Sequence, residues 1–121
     1  MEDKARLETI QRFNDLLRVA YAGGEIVLSD GVRALHPAQV SDVMRCMREF
    51  KNADQFGPEH SFGVFEALGK RFVFLITYYD RAWSGPSPDP ANPRVTSRFL
   101  ALMLETEYEN GLYETGMDRA A

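Results

Sequence analysis

The chain is poor in most of the residues from which small proteins build staples and reactive sites. It has one cysteine, Cys46, so no disulfide framework braces it. It has two histidines, His36 and His60, and no Cys or His pair at ligand spacing, so no metal centre is expected. No apolar run approaches the roughly 20 residues of a membrane helix. The opening MEDKARLETI is charged where a signal peptide would be apolar, so the expectation is a cytoplasmic protein without membrane contact. Basic residues are scattered and the net charge is −4, which argues against direct nucleic-acid binding, since that needs a clustered basic surface. Phosphate loops are missing too: Gly23-Gly24 ends a helix and precedes a strand, the reverse of the order such loops require. Ser84 and Ser87 lack a nucleophile-elbow context. No catalytic residue and no cofactor are assigned, and the sequence favours a non-enzymatic role.

What is present suits one globular core. Hydrophobic residues make up 45% and charged residues 26% of the 121 positions, so a single α+β domain over residues 1–121 is expected, with 112–121 fraying as a tail. The longest apolar run, Phe72 to Tyr79, is aromatic and β-branched and reads as a strand with two apolar faces. Phe62 to Ala67 precedes it across Leu68-Gly69-Lys70, the pattern of a β-hairpin. The EIVL run, Glu25 to Leu28, predicts a short strand, ended by a turn at Ser29-Asp30-Gly31.

Helices should cover this hairpin. Leu7, Ile10, Phe13, Leu17, Ala20 and Tyr21 recur at helical spacing and predict a helix from Asp3 to Ala22, with Arg18 among the residues of its polar side. A second helix starts at Pro37, carries Val40, Val43, Met44, Met47 and Phe50, and ends near Lys51. Asn92 and Pro93 look like the cap and first position of a third helix, whose stripe is Val95, Phe99, Leu102 and Met103 and whose stop is Gly111. The expected architecture is therefore a three-stranded, mainly antiparallel sheet packed by three helices, in the order α-β-α-β-β-α.

Two groups of residues stand out as candidate sites. Glu59 and His60 open the hairpin while Tyr79 and Asp80 close it, so the four should meet at one edge of the sheet. A carboxylate beside an imidazole can serve as a general base, with Asp89 of the nearby SPDP loop as a further ligand contact; the plainer alternative is a hydrogen-bond network that pins the loops. The second group is a surface. Arg81 and Trp83 are residue types enriched at binding hot spots, and Glu105, Glu107 and Glu109 crowd the last turns of the expected third helix, where the macrodipole disfavours them. With Glu114 and Asp118 beyond them, they suggest a face meant for a protein partner with a basic surface.

A set of short motifs also resembles a bacterial family of unknown function. They are Leu16 with Gly23 to Val32 (GGEIVLSDGV), Glu59-His60 with Phe62-Gly63, Tyr78 to Arg81, Ser87 to Pro90, Arg94 to Thr96, and Met103-Leu104 before Glu107-Tyr108. Members of that family resemble accessory proteins of plasmids and other mobile elements. The resemblance implies an inhibitor of a host defence system, of the anti-CRISPR or anti-restriction type, acting through protein–protein binding. The alternative is a small enzyme or small-ligand binder built on the Glu-His and Tyr-Asp residues at the hairpin base. The chain departs from the family's pattern at Leu75 and Thr77, where lysine and aspartate are usual, which implies that any catalysis by those two positions is lost here.

Overall fold

The apolar run that begins at Phe72 lies inside a sheet, as its two apolar faces require. The computed structural model describes residues 2–52 and 54–111. In chain order these form α1 (Glu2–Ala20), β1 (Glu25–Leu28), α2 (Asp30–Arg33), α3 (Pro37–Arg48), a 3-10 turn (Asp54–Phe56), β2 (Phe62–Ala67), β3 (Lys70–Tyr79), β4 (Ser97–Leu104) and α4 (Glu105–Glu109). The domain is α+β, with a four-stranded mixed sheet in the order β1-β4-β3-β2. Between β2 and β3, Leu68 (φ 57) and Gly69 (φ 70) both adopt left-handed conformations, as a two-residue type I′ hairpin turn demands. The helix α3 starts as expected: the Nδ1 of His36 accepts from the Ala38 N–H, Gln39 returns the bond to His36, and Pro37 takes the first turn.

Strand alternation sorts the core into two clusters. Phe65, Phe72, Phe74, Ile76, Leu100 and Leu102 face Leu17 of α1, Val32 of α2, and Val43 and Met47 of α3. Val73, Phe99, Ala101 and Met103 face the other way, with Trp83 and Tyr108 packed against them from a loop and from α4.

The segment expected to be the third helix is instead β4 followed by a short helix. SRFLALML is rich in Leu, Met and Ala, which favour helices in isolation, and Asn92-Pro93 imitates a helix start. Yet every position from Arg98 to Met103 is buried, and a strand covered on both faces shows no apolar–polar alternation to betray it. Here β4 pairs antiparallel with β3 and parallel with β1, so it has ladder partners on both edges. The sheet therefore has four strands rather than three, and β3 lies between β4 and β2. Asn92 caps no helix; its Oδ1 accepts from the Arg94 N–H inside the loop.

Two smaller differences matter for the site. The turn expected after β1 continues into α2, whose first turn is held by the Ser29 hydroxyl accepting from the Val32 N–H. Arg18, placed on the polar side of α1 by sequence, is 3% exposed. Its guanidinium lies 5.7 Å from the Phe50 ring centroid and 5.6 Å from that of Phe74. One of its amino groups donates to the carbonyls of Met47, Arg48 and Phe50, at and just past the end of α3. Burial lowers its pKa, with Asp15 opposing.

Candidate functional site

The polar cluster at the sheet end is assembled by four elements. From α1, Asn14 turns inward one turn after Ile10, a polar residue on the apolar side of its helix. From β3, Tyr78 points to the helix-covered face, since Phe72, Phe74, Ile76 and Tyr78 alternate with residues of the other. The loop before β2 brings Glu59, and β4 brings Arg98 opposite Tyr78 in the ladder. The Tyr78 hydroxyl donates to Glu59 Oε1 at 2.8 Å and accepts from Asn14 Nδ2 at 2.7 Å. Asn14 Nδ2 also donates to the Glu59 carbonyl, and its Oδ1 accepts from Arg98 Nε at 2.8 Å. Arg98 donates as well to the Pro90 carbonyl and lies between the rings of Phe13 and Tyr78, each about 5 Å from its guanidinium carbon.

Burial sets the electrostatics. It pushes the Tyr78 phenol up to about 12, with Asn14 pulling it down and Glu59 adding to the rise. Burial also lowers Arg98, and the neighbouring Tyr78 and Glu59 partly restore it. The cluster is thus a closed set of donors and acceptors that ties α1, β3, β4 and two loops together.

Beside it, His60 has an uncommon left-handed backbone (φ 61) and sets its Nδ1 3.1 Å from both oxygens of Asp15. Asp15 also receives the Asn52 amide and lies 3.6 Å from Arg18. So the structure sets Glu59 on a tyrosine, but the tyrosine is Tyr78, while His60 engages Asp15. Tyr79 lies on the opposite face, its ring 5.0 Å from Trp83 and 6.3 Å from Phe99. Asp80 accepts from the hydroxyl and the N–H of Ser84, which hold its carboxyl below the usual range. Asp89 accepts from the Ala91 N–H and pairs with Arg6 at 3.1 Å.

The expected partner surface divides. Trp83 (φ 59) is half-buried and Arg81 exposed at the Tyr79 end of β3. Glu105, Glu107 and Glu109 lie at the other end, seven strand positions away, or roughly 23 Å at about 3.3 Å per residue. They belong to α4, where Glu105 and Glu107 occupy the first turn, the end at which the macrodipole welcomes negative charge. Glu105 pairs with Arg71 at 3.0 Å. Glu107 faces inward: Oε1 accepts from the Ser29 hydroxyl (2.6 Å) and the Leu104 N–H (2.9 Å), and Oε2 from the Gly31 N–H (2.9 Å). Glu109 is exposed. Glu114 and Asp118, and the whole expected tail, lie outside the described residues.

Asn14, Tyr78 and Arg98 are the cluster members that sequence reasoning missed. The signal for Asn14 was available, because it stands four residues after Ile10 and three before Leu17 on the buried stripe. Arg98 carried none, as it stands within what looks like an amphipathic helix. Elsewhere, an open groove of about 550 Å³ at the hairpin turn is lined by Glu66, Lys70, Arg71, Glu105 and Thr106. Among the described residues, no group of three or more His, Cys, Asp or Glu side chains is placed to hold a metal ion. No described helix is long and apolar enough to cross a membrane.

A family profile described as a protein of unknown function (DUF3768) matches residues 28–107, from the end of β1 into α4. No curated protein and no solved structure matches the chain.

Proposed function

The chain belongs to the DUF3768 family, and for this member we propose a non-enzymatic role: an accessory protein of a mobile genetic element that inhibits a host defence system by binding another protein. Support comes from how the polar groups are used. Tyr78, Glu59, Asn14 and Arg98 satisfy one another, Asp80 closes its own loop, and Glu107 anchors α4 to α2. Among the exposed residues are the apolar Leu16 and Val19 of α1, and Tyr21 just after it. Of the acidic face suggested by sequence, Glu105 pairs with Arg71, Glu107 faces inward and Glu109 is exposed.

The test is plasmid establishment. Strains carrying a restriction or a CRISPR system would be transformed with a targeted plasmid, with and without the chain expressed. More transformants with the chain present, unchanged by His60→Gln, are expected. No gain against either class of system refutes the anti-defence role.

One geometry favours the alternative of a small enzyme or ligand binder. Asp15 engages His60 through Nδ1, which fixes the ring and leaves Nε2 as the remaining nitrogen, the arrangement of an oriented base. Loss of the plasmid effect in His60→Gln, in a variant with wild-type stability, would select this alternative.

A further inference from the structure

The sheet has two outer edges, β1 and β2. β1 has four residues and runs straight into the start of α2, whereas β2 has six. Natural edge strands are commonly blunted by proline, lysine or a bulge. The FGVFEA of β2 has no proline and no lysine. Its register with β3 advances one residue at a time from Phe62 to Ala67, so no bulge interrupts it.

The phase of the ladder says which backbone groups are left over. The Ile76 N–H donates to the Ser61 carbonyl at 2.7 Å, so Ser61 and Ile76 form a hydrogen-bonded pair. Such pairs alternate along an antiparallel ladder, which makes Gly63-Phe74, Phe65-Phe72 and Ala67-Lys70 the next ones. Val64 and Glu66 therefore turn their N–H and C=O groups outward, and no described residue bonds to them. Phe62 shares that phase, but the Phe56 ring lies 5.9 Å from its ring on one face of the sheet. The same Phe56 ring lies 5.9 Å from Phe50, which packs over Gly63 and Phe74 on the other face. Phe56 thus folds round the edge at that end, and the open stretch runs from Val64 to Glu66.

The side chains of that stretch set its chemistry. Val64 is half-buried against the second core cluster, and Glu66, two positions on, shares its face and is exposed. Arg71, the ladder neighbour of Glu66, pairs with Glu105 at 3.0 Å, and no ion pair engages Glu66 among the described residues. A second copy of the chain would not supply one. In two-fold antiparallel registers centred on Val64, Phe65 or Glu66, the Glu66 side chain falls opposite Phe62, Val64 or its own copy, never opposite a base.

We propose that the outer edge of β2 binds an extended segment of a partner protein, which adds antiparallel to the four-stranded sheet. The backbone groups of Val64 and Glu66 form the ladder, an apolar residue lies opposite Val64, and a lysine or arginine lies opposite Glu66. The inference rests on the protein-binding role above and names the shape and charge of what is bound.

The test follows amide hydrogen exchange in the intact chain, with and without a short synthetic peptide. The peptide carries valine and lysine two positions apart, with threonines between and around them; a second peptide has glutamate in place of the lysine. In the chain alone, Val64 and Glu66 should exchange fast while Phe65, bonded to β3, exchanges slowly. The lysine peptide should slow Val64 and Glu66 by about tenfold and leave Phe65 unchanged, and the glutamate peptide should act more weakly. Val64→Pro removes an outward donor without touching the β3 ladder, a change that edge strands tolerate, and should abolish the protection. Glu66→Lys alters only an exposed side chain and should reverse the preference between the two peptides. No slowing, equal action of both peptides, equal slowing of Phe65, or an unchanged preference in Glu66→Lys would overturn the proposal. So would slowing of Val64 and Glu66 on concentrating the chain alone, which would make a second copy the occupant. Protection by the peptide without plasmid rescue would remove the anti-defence role and keep the edge site; rescue without protection would do the reverse.

Discussion

Replacing Glu107 with alanine should destabilise the fold by about 3 kcal/mol. The carboxylate accepts three hydrogen bonds, from the Ser29 hydroxyl, the Leu104 N–H and the Gly31 N–H, at 2.6 to 2.9 Å. A bond to a charged group contributes about 1.5–3 kcal/mol net. Three bonds to one half-buried charge sum to less than three separate ones, which sets the figure near the value of one to two bonds. A Cβ on Gly31 would sit 2.8 Å from Glu107 Oε1, so the carboxylate lies against bare backbone with no room for a substitute to reach in. Glu107→Gln keeps the shape but turns an amide NH₂ toward groups that donate, and should cost about 2 kcal/mol. Urea titration gives the number, provided the slope is unchanged and only the midpoint moves. A loss below about 0.5 kcal/mol, the range of ordinary surface substitutions, would refute the reasoning. It would mean that Glu107 is solvated and free to serve a partner, as its place in an acidic run first suggests.

Tyr78→Phe should change how stability depends on alkaline pH. The folded pKa of about 12 lies above the ordinary 10.0, so the fold favours the protonated phenol. That contribution is whole below about pH 10 and is lost as pH rises through about 12. Allowing for partial exposure, wild type should lose about 2 kcal/mol more than the variant across that window, and parallel curves would contradict the burial of Tyr78. Gly63→Ala would place a Cβ 2.5 Å from the Phe74 ring and 2.6 Å from that of Phe50, rings already packed edge-on at 5.1 Å. A loss of about 2 kcal/mol, or about 8 °C in Tm, is expected from that overpacking. Gly69→Ala meets no atom within 4 Å but keeps φ 70, so it should cost only about 1 kcal/mol; equal losses at the two glycines would remove the steric account.

Much of the fold is legible because local signals agree with it. The stripe of Ile10 and Leu17, the Pro37 start of α3 and the Leu68-Gly69 turn each say the same thing at every level. The sequence misleads where local preference and tertiary position conflict. Ser97–Leu104 prefers helix by composition and is a strand only because β1 and β3 are there to pair with it. That single difference moves Glu105 and Glu107 from the end of a long helix to the start of a short one, and reverses the sign of their dipole interaction. At the site, alternation separates Tyr78 from Tyr79 correctly, but nothing in the alternation says which face holds Asn14 and Arg98. Arg18 is misplaced for a related reason: a long cationic side chain reads as solvated until three carbonyls at and past the end of α3 are seen to converge on it.

The position of β4 has a consequence for how the chain comes to be made. β1 leaves the ribosome well before its ladder partner, Phe99 to Leu102, and β3 also waits for that segment on its second edge. The entropy of closing so long a loop grows only logarithmically, so the finished fold is little weakened by it; the burden falls on the rate. Until Ser97 to Leu104 has been made, the hairpin can form but its inner edge stays open, a template for pairing with the wrong strand. A chain that stops before Ser97 therefore loses more than its last strand, because β1 and its neighbouring helices are then left with no sheet to join.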